Sequence, residues 1–399
     1  MVSGLLGEWV TSPVYRSFPG RTLGLSEMRA LFFGTYDTRS HPRVGVLIEG
    51  LREHDFLVSE CNQPLGVSTA ARVAMLQRPW LLPLLGVRLG VAWLRLVRAA
   101  RRIPPPDLVV VGYLGHFDVR LARRLFPRAV IVLDHLIGAS DTASDRGVSG
   151  GLRQRLLRWL DARALAAADI VLVDTEEHLA ALPPAARAKA LAVAVGAPAA
   201  WFAETPPDGA DDTAGPLRAV FFGLFTPLQG APVIGAALAE LATEPGRVAV
   251  TMVGSGQDLA ETRRLAGANP DVTWHDWVAP TELAQLVAGH DVCLGIFGVS
   301  PKALRVVPNK VFQGAAAGCA IVTSDTAPQR RLFGPAATYV PPGDGKALAA
   351  ALRNLDRDRD LLRQVRSASR MLAQASFTPA GVTAPLAHRL ETLTSEVRP

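Results

Sequence analysis

The stretch Ser300–Asp325, SPKALRVVPNKVFQGAAAGCAIVTSD, decides how the rest of the chain is read. It runs from loop to helix, to a small-residue turn, to a buried strand. Asn309 stands where it would cap a helix whose first turn has free backbone N–H groups, with Lys310 beside them. Ala315, Ala316, Ala317 and Gly318 close that helix with almost no side-chain bulk. Ala320, Ile321, Val322 and Thr323 then form an apolar, β-rich run that ends in Ser324 and Asp325. Lysine is scarce: only four of the 42 basic residues are Lys, yet Lys302 and Lys310 both fall in this window. A helix N-terminus flanked by Lys302, Arg305 and Lys310 suits a phosphorylated ligand, because free donors and positive charge converge there.

Working outward, strand-like runs alternate with helical ones. Before the window come Arg218–Gly223, Arg247–Gly254, Asp271–His275 and Asp291–Phe297. After it, Asp344–Arg370 has a charged helical pattern, in which Asp356, Arg357 and Asp358 read as a solvated charge run. Residues 196–216 are rich in Pro, Gly, Ala and Asp, the composition of a linker. On the other side of it a second alternation includes Arg29–Tyr36 with Gly34, Asp107–Tyr113, Ala129–Asp134 and Asp169–Asp174. This pattern implies parallel sheets with ligands outside the carboxyl ends of the strands. The expected division is an extension over 1–27, a domain over 28–196, a linker over 197–216, a second domain over 217–375 and a closing helix over 376–399.

The central window also resembles the donor-sugar site of family-4 retaining glycosyltransferases, which have the GT-B fold. The family usually shows two glutamates with seven residues between them, the second opening a run like EAMAxGxPVV. Residues 313–322, QGAAAGCAIV, match that run with Gln313 at the second glutamate and Arg305 at the first. The resemblance implies two facing Rossmann-like α/β domains and a C-terminal helix crossing back to the first. It implies a nucleotide-diphosphate sugar donor held in the second domain, with Gly34, Gly223, Gly254, Asn309, Lys310 and Gln313 near it. Relatives hold the diphosphate with cations after the first strand of that domain, where this chain has Leu224 and Gln229. Arg305, with Lys302 and Lys310, is expected to replace them; pairing of Arg305 with an acidic sugar is the alternative. Relatives also carry a functional histidine beyond a strand of the first domain, and His135 matches it. Asp134 is expected to orient His135 or act directly, and His116 in the turn 115–118 is a second candidate.

Composition bounds the function. A chain of 399 residues, 49% hydrophobic and 20% charged, holds more than one ordinary core and is not a disordered protein. Cys61, Cys293 and Cys319 are odd in number and set in strand-like runs, so they read as reduced core thiols in a cytoplasmic protein. The opening residues lack the basic start and long apolar segment of a secretory signal. Residues 1–196 carry a net +7 and the remainder −1, and eleven arginines between Arg72 and Arg128 face only Asp107 and Asp118. Trp80, Trp93 and several leucines interleave with those arginines, which suits a peripheral membrane contact over 72–103 and not a nucleic-acid groove. A buried helix pair with solvated arginines fits the same pattern. Neither a metal site nor a cofactor is indicated. The expected activity is hexosyl transfer, with retention, from a nucleotide sugar to a glycan or lipid-linked acceptor in envelope or exopolysaccharide synthesis. A sugar-nucleotide epimerase or hydrolase of the same fold, or a non-catalytic nucleotide-binding relative, are the alternatives.

Overall fold

The computed structural model describes residues 27–38, 42–66, 82–112, 115–136, 151–203 and 215–395. Most of the expected N-terminal extension, residues 72–81 of the arginine-rich stretch, residues 204–214 of the expected linker and the last residues of the closing segment lie outside them. Two six-stranded sheets, parallel throughout, form the frame. The first contains β1 (Arg29–Gly34), β2 (Leu57–Asn62), β3 (Leu108–Val111), β4 (Val130–Asp134), β5 (Ile170–Val173) and β6 (Ala190–Ala192). The second contains β7 (Leu217–Phe222), β8 (Val248–Val253), β9 (Val272–His275), β10 (Val292–Leu294), β11 (Ala320–Ser324) and β12 (Ala337–Val340). Runs such as Leu108–Val111 and Ile170–Val173 are buried on both faces, which is why they read as continuous apolar stretches with no alternation.

The first sheet is ordered β2-β1-β3-β4-β5-β6 and the second β12-β11-β10-β7-β8-β9. Strand order therefore reverses between β1 and β3 in one, and between β7 and β10 in the other. Loops leaving the two reversing strands diverge, so a crevice opens at each point. The helices that shape these crevices are α1 (Pro42–Glu53), α2 (Leu82–Ala100), α3 (Asp118–Leu125), α4 (Gly151–Ala167), α5 (Glu176–Ala181), α6 (Asn309–Ala316), α7 (Gly345–Arg357), α8 (Arg359–Ser376) and α9 (Pro379–Ser395).

The charged segment expected as one helix is two. Asp344 caps α7 through the Ala347 N–H at 2.8 Å, and Asp358 caps α8 through the Leu361 N–H at 2.9 Å. Asp356 is buried between Arg247 and Arg359, each 2.7 Å away, so it is a structural ion pair and not part of a solvated run. Val195, just before the expected linker, and Ala197 and Trp201 within it pack in the core that contains Val220 and Phe222. All three cysteines are buried and free.

The chain returns to the first domain at α9, as the resemblance implies. Val382, Leu386, Leu390 and Leu393 join the core that contains Val44, Leu47 and Leu51 of α1. Close approach is possible because Gly50 has no side chain. A Cβ there would stand 2.2 Å from Pro379 O and 2.3 Å from Thr383 Oγ1. Gly50→Ala is therefore expected to lower stability by about 1–3 kcal/mol in urea unfolding, although alanine inside a helix is ordinarily stabilising. A gain in stability would show that α9 does not rest on this position.

Candidate active site

The second-domain half is built from glycine turns at the ends of β7 and β8. Gly223 and Gly254 have φ of 134° and 129°, in the region L side chains avoid, and a Cβ on Gly254 would fall 2.0 Å from Gly223 O. The two strand ends thus lie backbone on backbone at the β7–β10 crevice. Beneath Gly223 lies the Lys310 ammonium, at 3.4 Å from where a Cβ would be. Lys310 is only 4% exposed. Its Nζ donates to Gln229 Oε1 at 2.6 Å and sits 3.5 Å from the centre of the Phe221 ring. No carboxylate pairs with it among the described residues. Burial pushes its pKa well below the ordinary lysine range.

Lys310 therefore returns a cation to the space beside Gln229. Lys302 and Arg305 have different surroundings. Both are half-buried on the short turn that precedes α6. The Arg305 guanidinium folds back, its Nε donating to Pro301 O at 3.0 Å, while its carbonyl accepts from Thr175 Oγ1 of the first domain at 3.0 Å. Asn309 is the first residue of α6 and not its cap; Pro308 holds that position and no side chain caps the helix. Proline before it fixes an extended entry, so the N-terminal N–H groups stay unoccupied by side chains. Gln313, one turn after Lys310, is buried on the same helix.

The first-domain half collects at the carboxyl ends of β3, β4 and β5. Here His116 and His135 are brought together, with ring centres 5.3 Å apart and planes at 71°. His116 Nε2 lies 3.2 Å from Asp161 Oδ1. Asp134 does not orient His135. As the last strand residue it points to the other face of the sheet, where Arg43 Nε donates to it at 2.8 Å and Arg43 Nη1 reaches the carbonyls of Val193 and Ala194. Gly34, with φ of 145°, serves a local contact. A Cβ there would stand 3.0 Å from Asp118 Oδ2, which accepts from the Thr35 N–H and hydroxyl at 2.8 Å each.

His178, which sequence reading passes over, lies in the first turn of α5 and is hydrogen-bonded through Nδ1 to Asp174 at the end of β5. It is close enough to His135 to depress its protonation. The signal was present as an Asp and a His four residues apart after a strand, a spacing that brings side chains together on a helix. Thr175 between them caps α5 and reaches Arg305 O, and Glu177 pairs with Arg331 at 2.9 Å. Leu136, next to His135, packs on the second-domain core. The contacts of Thr175 with Arg305, Glu177 with Arg331 and Leu136 with the second-domain core thus form a seam that joins the neighbours of these histidines to the second domain. Among the described residues no group of three His, Cys, Asp or Glu side chains is arranged to hold a metal ion.

Residues 216–358 match the family model of glycosyl transferases, group 1. That span holds β7 to β12 and α6, including Gly223, Gly254, Lys302, Arg305, Lys310 and Gln313. The described residues have the GT-B fold. Sucrose-phosphate synthase from Thermosynechococcus elongatus superposes with a TM-score of 0.67 at 17% identity, covering 93% of this chain and 100% of that one. HepE from Anabaena in complex with UDP-glucose superposes with a TM-score of 0.62 at 15% identity, covering 92% and 100%. An α,α-trehalose-phosphate synthase (UDP-forming) from Burkholderia vietnamiensis gives 0.63 at 14% identity, covering 93% and 100%. No curated protein matches the chain by sequence.

Burial, reinforced by His116, pushes His135 down to about 4, so its imidazole is neutral across the physiological range. An unfolded chain takes up this proton below about pH 6.5, whereas the folded chain resists until about pH 4. The contribution to stability is complete above the unfolded value and is lost as pH falls through that window. The wild-type protein is expected to lose stability from pH 7 to pH 5 more steeply than His135→Asn, by at most about 1.4 kcal/mol per pH unit. Equal slopes in urea unfolding would remove His135 as the source.

Proposed function

We propose that the protein is a glycosyltransferase moving a hexose, with retention, from a nucleotide-diphosphate donor to a glycan or lipid-linked acceptor in cell-envelope or exopolysaccharide synthesis. The observation that carries the reading is Lys310: a buried amine with no carboxylate partner among the described residues, under abutting glycine turns, in the first turn of a helix whose N-terminal donors no side chain caps. Such a group is costly to hold charged without an anion. A diphosphate entering the crevice supplies that anion, and the bare glycines let it approach the backbone closely. The group 1 match of this half and the GT-B fold support the same reading.

In this mechanism the leaving diphosphate is stabilised by fixed donors at the N-terminus of α6 and by Lys310, with Arg305 and Lys302 reached by swinging from the adjacent turn. Gln313 offers one amide acceptor for a ribose hydroxyl, without the charge assistance a carboxylate would give. His135, neutral, provides one donor and one acceptor to the acceptor hydroxyl, and His116 and His178 flank it. The chemistry needs no resident cofactor among these groups, and the donor is a substrate.

Two measurements test this. Binding of UDP and other nucleoside diphosphates is expected to weaken about 10- to 100-fold in Lys310→Met, the loss of one charge-assisted contact. Unchanged affinity would reject the assignment of Lys310. A nucleotide-sugar panel, with released nucleoside diphosphate followed in the presence and absence of acceptor, is expected to show acceptor-dependent release. Release independent of acceptor would point to a hydrolase or epimerase, and binding without turnover to a non-catalytic relative.

A further inference from the structure

Three helices, α2, α3 and α4, cover one face of the first sheet. Leu96 and Ala100 of α2, Val119 and Ala122 of α3, and Ala164 and Leu165 of α4 all enter the same core against β1, β3, β4 and β5. Their inner faces are thus accounted for. Neighbouring helices are also tied laterally: Trp93 Nε1 of α2 donates to Asp118 Oδ1 of α3 at 2.8 Å, and Arg120 of α3 lies 6.0 Å from the ring of Trp159 on α4. The outward sides of the three therefore form one continuous layer.

That layer has an unusual chemistry. Val87, Val91 and Leu94 line a single stripe of α2, Phe117 opens α3, and Leu156 and Trp159 stand on α4, all between 41 and 63% exposed. Residues at spacings of four and three share one side of a helix, so the α2 stripe is a true apolar edge opposite its buried one. Around them stand Arg88, Arg95 and Arg98 on α2 and Arg155, Arg158 and Arg163 on α4. The only acids on the three helices are Asp118 and Asp161, and both are buried. Arg163 also stacks at 5.2 Å over Trp159, holding the indole outward. A protein partner of ordinary surface would present charges of both signs, whereas this face offers only cations around bulky apolar groups.

We propose that this α2–α3–α4 face docks on the surface of a bilayer containing anionic phospholipid. Arginines would pair with the headgroup phosphates and the apolar side chains would enter the boundary between headgroups and acyl chains. No described helix is long and apolar enough to cross a membrane, so the contact is interfacial. Phe117 adjoins His116, and Trp159 is two residues from the Asp161 that His116 contacts. Docking would thus hold the histidine side of the seam at headgroup level. The inference draws on the first domain alone and stands or falls separately from the donor chemistry.

The test is co-sedimentation of the full-length protein with vesicles of phosphatidylcholine alone and of phosphatidylcholine with phosphatidylglycerol. Binding is expected only to the second, and to weaken as salt rises. Leu94→Glu/Trp159→Glu is expected to reduce vesicle affinity at least tenfold, and Arg95→Gln/Arg98→Gln to reduce the preference for anionic vesicles. Met371→Glu, an exposed apolar site on α8 in the other domain, is the control and should leave binding intact. Thermal unfolding and nucleoside diphosphate affinity of each variant report folding and the donor site independently. Failure to bind anionic vesicles, an equal loss in Met371→Glu, or a dimer that the Leu94→Glu/Trp159→Glu variant splits into monomers would each overturn the proposal.

Discussion

A lysine ammonium held under a glycine turn governs the geometry of the second domain. Lys310 Nζ reaches back from α6 to Gln229, 81 residues earlier, and so fixes the start of α6 against the end of β7. β7 is followed by Gly223 with a φ of 134°, a conformation that strains any L side chain, and a Cβ there would come into contact with the ammonium. β8 is followed in the same way by Gly254, which lies against the Gly223 carbonyl. Two strands and a helix are thereby set at one crevice by atoms that are missing. Burial disfavours the charged form of Lys310, and an anion entering the crevice would favour it.

Much of this was legible in the sequence because parallel strands buried on both faces leave an unmistakable trace. Every apolar run singled out there holds a strand, with ends that coincide or shift by at most three residues. Strands β6 and β12 escaped because ALA and ATYV are too short and too mildly apolar to stand out. The identity of α6 was readable, but its cap was not. Asn is a good cap in general, and only the backbone shows that Pro308 already occupies the capping position.

The side-chain network was less readable, for a reason of direction. Along a strand successive residues point to opposite faces, so Asp134 and His135, adjacent in sequence, serve different halves of the domain. Asp134 answers to Arg43 of α1, and His135 to His116 and the seam. The charge run at Asp356 misled in the same way. Polar letters on a surface helix look solvated until a distant arginine such as Arg247 is seen beside them. Residues whose partners lie a hundred positions away carry no local mark of that partnership.

Among the described residues the chain passes between its two lobes near Ala197 and again near Phe377, and the crossings touch. Ala197 N–H donates to Phe377 O at 3.0 Å, and the bare Cα of Gly196 abuts Val382 of α9. A body joined to another by two adjacent straps keeps one soft motion, a swing about the line of the straps, while sliding and twisting are opposed. Opening would then resemble a book moving on its spine, with β-strand ends as the facing pages. The contacts of Thr175 with Arg305 and of Glu177 with Arg331, which join the two lobes, are ones such a swing would part.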